Sequence, residues 1–583
     1  MSPANPTYRV GPAGAQEERV GPAGAQEHSA DLGRRTLTWS LDFLDRARHL
    51  VWNPSCYDGA VPARTVHLVP DSAWIAYGLL ARRSPGDLDE ACAILRALLE
   101  LQYDAPGEPF DGTFAAFAES PRPPDGDAVV WRDYDPNWRQ FLGTTFVLVL
   151  EDFGGDLPAA LAGGLETAIG RAVHGEPDAR IALDYTNPGL MHAFLLSWYG
   201  TRTGDVDLVE RGEQRARALV ERFDELGGFD EHNSPTYYGI DLLALALWHE
   251  LGPTPGLRDA GLRIAEALWR ETIERYNPRL RNWCGPYTRS YGPDATRSVT
   301  LLGLWYAALL GGSEAPLPEL VVAEGSRTPG ARLDEGTPPE VHHSNDVMAG
   351  PVVARLARFL APVAGSARAT LGNPGNLGNL GNSGSSPAAG GVVRRDLGGR
   401  VLTSWITPAL MIGAEASERD WPPTGQAVPV CVHWLEGLSD RGTHSGSDDR
   451  HGRRSGSGSG SGSDGGGGSG RRPDVGTLWM PGAHVVHART HSGGATLERP
   501  NAAPGEAVRL LLSGAVPVVD GSSTVHAGSL TVTATGDVSS MECRPVASVG
   551  AAADYEVLLR PAPDRSLSHA TLEIAIRPDA VGA

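Results

Sequence analysis

The residues best suited to chemistry in this chain fall into five short clusters: VPDSAW (69–74), DYDPNW (133–138), DYTNPGLMH (184–192), FDEHNSPTYYG (229–239) and NWCGPYTRSYGPD (282–294). Each precedes or opens an apolar stretch whose packing needs none of these polar and aromatic side chains. A Tyr phenol whose pKa is lowered by a nearby Arg or protonated His can act as both base and acid. Within 229–239, Asn233-Ser234-Pro235 starts a helix with Pro in its first turn. That puts Tyr237 and Tyr238 at the helix opening. His192 follows Asn187 by five residues, a little over one turn, so the two need not share a face. Ordinary helix capping accounts for Asp71, Asn187 and Ser234. It does not account for Tyr237-Tyr238, for His192 in an apolar stretch, or for Arg289 beside Tyr287 and Tyr291.

The elements that would position these residues are helices. From about 35 to 362 apolar residues recur at three and four spacing between short Gly/Pro loops. The pattern predicts helices over 35–50, 71–82, 87–101, 137–152, 157–174, 187–200, 205–225, 235–250, 257–275, 295–310 and 346–362. Two kinds alternate. Stretches such as 141–151, 190–200, 239–250 and 298–310 are apolar on all sides, as in a helix surrounded by protein. Stretches such as 88–101, 206–223 and 256–276 are amphipathic and rich in Arg and Glu. Alternation of this kind suits a ring of five to six helical hairpins, an α/α toroid, with the apolar helices inside. Parallel inner helices would bring their polar openings to one end, a cleft whose helix dipoles favour anions.

Beyond the ring the period changes to two. Segments such as 399–415, 427–437, 507–519, 528–536 and 570–578 alternate and are bounded by turn residues, the signature of an antiparallel β-sandwich. The expected class is therefore α+β multidomain. The expected organisation is a disordered tail at 1–30 (RVGPAGAQE occurs twice), a toroid at 31–362, a linker at 363–391 and a sandwich at 392–583. The sandwich carries a Gly/Ser-rich disordered insertion at 440–474.

Composition narrows the chemistry. The 583 residues carry a formal charge of −20, which argues against nucleic-acid binding. All 50 basic residues are Arg. Schiff-base enzymes, P-loop nucleotide binders and protein kinases all need a Lys, so those classes are excluded. The five cysteines (Cys56, Cys92, Cys284, Cys431, Cys543) are scattered and form no C-x-x-C pair, so neither a zinc knuckle nor a disulfide scaffold is expected. His249-Glu250 lacks the second His of a zinc-protease motif. No metal or other cofactor is expected. No signal-like segment or membrane span is read, so the expected location is cytoplasmic, with secretion left open if the start is misassigned. The expected partner is an anionic carbohydrate, with neither nucleic acid nor membrane; the oligomeric state is not legible.

A toroid followed by a sandwich, with Glu231-His232-Asn233-Ser234-Pro235-Thr236-Tyr237-Tyr238 at its centre, resembles polysaccharide lyases of the heparinase II/III and alginate or chondroitin lyase kind. The resemblance implies elimination across the C4–C5 bond of a uronic acid. It implies Tyr237 or Tyr238 as acid and base, Asn187 and Asn233 polarising the carboxyl, His192 as partner base and Arg289 neutralising charge. Glu231, Tyr291, Trp138, Asn137, Trp283 and Asp294 would line the substrate. His342-His343 or His433 would supply a further His near the β-domain. Two other readings stand beside it. A glycoside hydrolase on the same ring would need two carboxylates about 6.5–9.5 Å apart, drawn from Asp133, Asp135, Glu231 and Asp294. A non-catalytic module would bind glycan through the same cleft.

Overall fold

The computed structural model describes residues 22–53, 66–121, 128–177, 179–312, 315–317, 320, 345–364, 391–417, 427–436, 475–481, 487–491, 493–499, 502–546 and 553–576. The N-terminal part of the expected tail, the segment holding His342-His343, most of the expected linker and the 440–474 insertion lie outside these residues.

The helices are α1 (Pro22–Leu41), α2 (Val69–Arg82), α3 (Asp87–Leu99), α4 (Trp138–Phe153), α5 (Ala159–His174), α6 (Thr186–Thr203), α7 (Val206–Leu226), α8 (Tyr237–Leu251), α9 (Pro255–Arg275), α10 (Leu301–Leu310) and α11 (Gly350–Leu356). Three expectations are corrected. Helix α1 begins at Pro22, inside the expected tail. It ends at Leu41, and the rest of the expected 35–50 helix is two short strands, β1 (Leu44–Asp45) and β2 (Leu50–Trp52). The helix expected at 295–310 starts only at Leu301, where Thr300 accepts the Gly303 N–H as its cap.

Helices pair as α2/α3, α4/α5, α6/α7 and α8/α9. The apolar members also pack on one another in succession: α2 on α4, α4 on α6, α6 on α8 and α8 on α10. Helices α1 and α11 contact both α10 and α2 and complete the circuit. The segment Asp346–Ala364 is long and apolar enough to span a membrane, yet 67% of it is buried in this helical core. Solvent-facing α7 shows the other kind of helix: only Leu208, Gly212, Ala216, Leu219 and Phe223 are buried, a stripe at three and four spacing.

The helical part also holds the short strands β3 (His67–Leu68), β4 (Phe114–Ala115), β5 (Tyr134–Asp135), β6 (Tyr276–Asn277) and β7 (Asn282–Trp283). Beyond it, eight strands form one antiparallel sheet: β8 (Gly391–Leu397), β9 (Arg400–Ile406), β10 (Leu410–Ser417), β11 (Val430–Leu435), β12 (Val475–Met480), β15 (Val508–Ser513), β20 (Tyr555–Arg560) and β19 (Ser540–Pro545). Six form a second: β13 (His487–His491), β14 (Gly494–Glu498), β21 (His569–Ile576), β18 (Leu530–Gly536), β17 (Thr524–Ala527) and β16 (Pro517–Asp520). Ile412, Val432, Leu510 and Leu559 from the first sheet share one apolar core with Leu497, Val532 and Leu572 from the second.

The β-domain clamps two loops of the helical part. Tyr287 and Val428 exchange backbone hydrogen bonds (3.0 and 2.9 Å), and Ser404 donates to the Gly285 carbonyl (2.6 Å). Arg400, 4% exposed, holds Glu415 through two hydrogen bonds and also donates to the Asp230 carbonyl and the Thr288 hydroxyl. One guanidinium thus ties the 229–236 loop to the 284–291 loop. Arg400→Ala would strand Glu415 and loosen both loops. Its unfolding free energy, measured by denaturant titration, should fall by about 3–5 kcal/mol.

Candidate functional site

Three consecutive inner helices open at one place. Helix α4 opens behind Asn137, α6 behind Tyr185 and α8 behind Thr236. Asn137 Nδ2 donates to the Tyr185 hydroxyl (2.6 Å), joining the openings of α4 and α6. Asn187 donates from Nδ2 (3.0 Å) and from its backbone N–H (3.4 Å) to Glu231 Oε2, joining α6 to the loop before α8. Arg289 then closes the group from the 282–294 cluster. Its Nη1 donates to Glu231 Oε1 (2.5 Å) and its Nη2 to the Tyr237 hydroxyl (2.7 Å). The guanidinium also lies over the Tyr237 ring, 3.8 Å from its centroid, a cation–π contact. Tyr237 and Tyr291 share a hydrogen bond of 2.7 Å between hydroxyls, and Tyr291 is 36% exposed. The line runs from solvent at Tyr291 through Tyr237 and Arg289 to buried Glu231 and Asn187. Trp138, half-buried at the start of α4, donates to the Ala116 carbonyl and packs edge-on against Phe141.

Charge at this mouth follows from burial and from arginine. Burial pushes the Glu231 carboxyl up, opposed by Arg289 and by the Asn187 donors. Burial also pushes Tyr237 well above the usual phenol range, with Arg289 pulling the other way. Asp135 is pushed up to about 6 by burial, with Arg180 and Arg139 opposing. Arg180 donates to Asn137 Oδ1 (2.9 Å) and grips Glu176 through two bonds.

Several sequence expectations are corrected. Tyr238 does not reach this mouth. It is fully buried and points into a different cluster, its hydroxyl bonding Glu271 Oε1 (3.1 Å) and His232 Nδ1 (3.3 Å). Asn233 spends both amide hydrogens on the carbonyls of Cys284 (2.9 Å) and Pro286 (2.8 Å), and so serves the loop rather than a ligand. Its backbone is left-handed, φ 51°, which suits Asn better than most residues. Trp283 is core, packed against Tyr276 and Tyr306. Asp294 is 2% exposed and caps its own turn through Thr296 while accepting from Asn282. His192 is 5% exposed and its Nδ1 has no hydrogen-bond partner. Burial, with Arg215, Arg180, Arg211 and Arg139 around it, lowers it to about 3, so it is a neutral imidazole and a weak base. The opening of α2 stays apart: Asp71 is buried against Asp346, and burial raises both carboxyls. His433 is buried beside Tyr287 and Cys431. Among the hydrolase candidates, Asp133 is gripped by Arg132 through two bonds of 2.6 Å.

The family described as "Domain of unknown function (DUF8769)" matches residues 32–358, more than half of the chain. The chain belongs to that family. Among solved structures this DUF8769 protein is similar to the Streptomyces coelicolor A3 chondroitin AC lyase, solved in complex with chondroitin sulphate. The identity is 13% over 97% of this chain and 81% of that one, with a TM-score of 0.43. No curated protein matches its sequence.

Two residues of the DUF8769 mouth were missed by sequence reading. Tyr185 lies inside the 184–192 cluster, where the sequence marks only Asn187 and His192 as candidates. Arg180 lies in a Pro-containing turn between helices, and no periodicity flagged it. The relocation of Tyr238 gives a direct test. Tyr238→Phe should cost about 1 kcal/mol of stability, because Glu271 keeps His232 Nδ1 at 3.0 Å. Denaturant titration of the variant measures that cost. Its Tyr237 and Tyr291 hydroxyls should titrate as in the parent.

Proposed function

We propose that this DUF8769 protein is a lyase that eliminates at a uronic acid in a polysaccharide or oligosaccharide. The observation that carries this reading is the Arg289–Tyr237–Tyr291 line running from buried charge to solvent. The circuit of inner helices is read as an α/α toroid, and the joined openings of α4, α6 and α8 as its substrate end. In this reading the helical part is the catalytic domain, and the β-domain supports its loops.

The reaction asks for this equipment. A proton α to a carboxylate is weakly acidic, and its removal builds negative charge on the carboxyl group. Arg289 supplies a fixed positive charge, and the helix N-termini supply partial ones. Tyr237 works as tyrosinate, stabilised by the Arg289 Nη2 hydrogen bond. It takes the C5 proton; the electron pair forms the C4=C5 double bond as the C4–O4 bond breaks. The phenol so formed gives the proton to O4 of the leaving sugar and becomes tyrosinate again. Tyr291 bonds the same hydroxyl from the solvent side and orients it. Glu231 and Asn187 position Arg289 instead of touching substrate, and Asn137 with Tyr185 offers a polar wall opposite. His192 is too weak a base for the first step, which leaves that role to Tyr237.

The test is turnover of uronate polymers such as chondroitin, hyaluronan, heparan sulphate and alginate. The expected product shows ultraviolet absorbance of an unsaturated uronate, with one new reducing end per double bond. Tyr237→Phe should lower kcat by about 10²–10⁴-fold. The rate should rise with pH, because burial holds Tyr237 above the usual phenol range and the working form is the ionised one. New reducing ends without that absorbance would move the assignment to a hydrolase using Asp135. Binding without turnover would make the cleft a glycan-binding site.

A further inference from the structure

One buried acid behind this mouth has no part in the steps above. Asp241 lies four residues after Tyr237 on α8, so the two share a helix face one turn apart. It is fully buried, and neither carboxyl oxygen has a hydrogen-bond partner. Leaving a carboxylate ionised and unpaired in such a place costs several kcal/mol. The charges that act on it most strongly are Glu231, which disfavours its ionisation, and Arg289, which favours it. Buried Tyr238 on the same helix feels its charge too.

On the elements packed against α8 most titratable groups are engaged elsewhere, while Arg275 of α9 leaves Nε and Nη2 without a hydrogen-bond partner. From α9, Glu271 is bonded to Tyr238 and lies 3.5 Å from Arg275. From α10, Tyr306 donates to Thr272. From α11, Arg355 is held by Asp152 and Glu250. From α6 come neutral His192 and, far along the helix, Arg202 on Glu166. Arg289 is the cation that acts on both acids, Glu231 and Asp241. With both ionised, its charge would be over-neutralised and less of it would reach Tyr237.

We propose that Asp241 is a positioning residue: a neutral, protonated acid behind Glu231 that leaves the charge of Arg289 available to Tyr237. This role in turnover rests on the lyase reading; the protonation itself does not, and it is tested without substrate. Folded Asp241 keeps a proton that the unfolded chain releases above its ordinary value of 3.8. The folded state then binds more protons, so this term lowers stability as pH rises from there toward the folded value. Asn carries no such term. The melting temperature of Asp241→Asn should therefore match the parent near pH 4 and exceed it by a growing margin toward pH 8. The infrared C=O band of a buried protonated carboxyl should be present in the parent at neutral pH and lost in the variant.

The tyrosinate absorbance step of Tyr237, isolated by subtracting Tyr237→Phe, should lie at the same pH in Asp241→Asn as in the parent, because both side chains are neutral. If uronate polymers are turned over, kcat should rise with pH alike in the parent and in Asp241→Asn. A margin that shrinks with pH, no carboxyl band in the parent, or a tyrosinate step that moves to lower pH in Asp241→Asn would overturn the proposal. So would failure of Asp241→Asn to fold, since a neutral isostere must be tolerated where the acid is neutral. Absence of turnover on every polymer, with these readouts as expected, would count against the lyase reading alone.

Discussion

Everything at the mouth depends on one guanidinium held between a buried carboxylate and a phenol. Arg289 reaches Glu231 with one nitrogen and the Tyr237 hydroxyl with another, and lies across the Tyr237 ring. A buried ion pair of this kind contributes little net stability, because desolvation offsets the attraction. Its value is geometric. The two oxygens of Glu231 are divided between Arg289 and Asn187, so the carboxylate fixes the loop before α8 against the opening of α6. Moving any one partner moves the others.

That arrangement explains why the β-domain matters to a site to which, among the described residues, it brings no side chain. Arg289 lies on a loop between β7 and α10, and loops wander unless pinned. The pins come from across the domain boundary: Val428 on Tyr287, Ser404 on Gly285, and Arg400 on both Asp230 and Thr288. Asn233 adds a pin from within, bonding the carbonyls on either side of Gly285. Residues expected to touch substrate thus hold the frame around the residues that face solvent.

What the sequence made legible follows from range of interaction. Alternating all-apolar and amphipathic stretches pointed to inner and outer helices because that pattern is local, and α6/α7 and α8/α9 pair accordingly. The switch to period two likewise located the strands. The site was legible as a set of clusters but not as a set of roles. Tyr237 and Tyr238 are adjacent, and on a helix their directions differ by about 100°. Which one faces the mouth is decided by Glu271 from α9 and His232 from the preceding loop, which draw Tyr238 inward. Asp241 lies in a stretch whose pattern is apolar on all sides; only packing leaves its carboxyl unpartnered. The first part of helix α1 fell in the expected tail because Gly and Pro in the repeated segment hid a helix that tertiary contacts with α10 and α11 support.

The choice of arginine also bears on how an acidic protein would meet the anionic substrate proposed for it. A formal charge of −20 would slow the long-range approach of a polyanion. Salt screens such charge beyond about 8 Å at physiological ionic strength, so contact is decided by the groups lining the mouth. There the fixed charges include Arg289 and Arg180, flanked by acids that burial pushes toward their neutral forms, Asp135 and Glu231 among them. A lysine ammonium would meet the same charge requirement at a single point. The planar guanidinium can bond a carboxylate and a phenol at once and still lie on a ring face, which is the geometry Arg289 adopts.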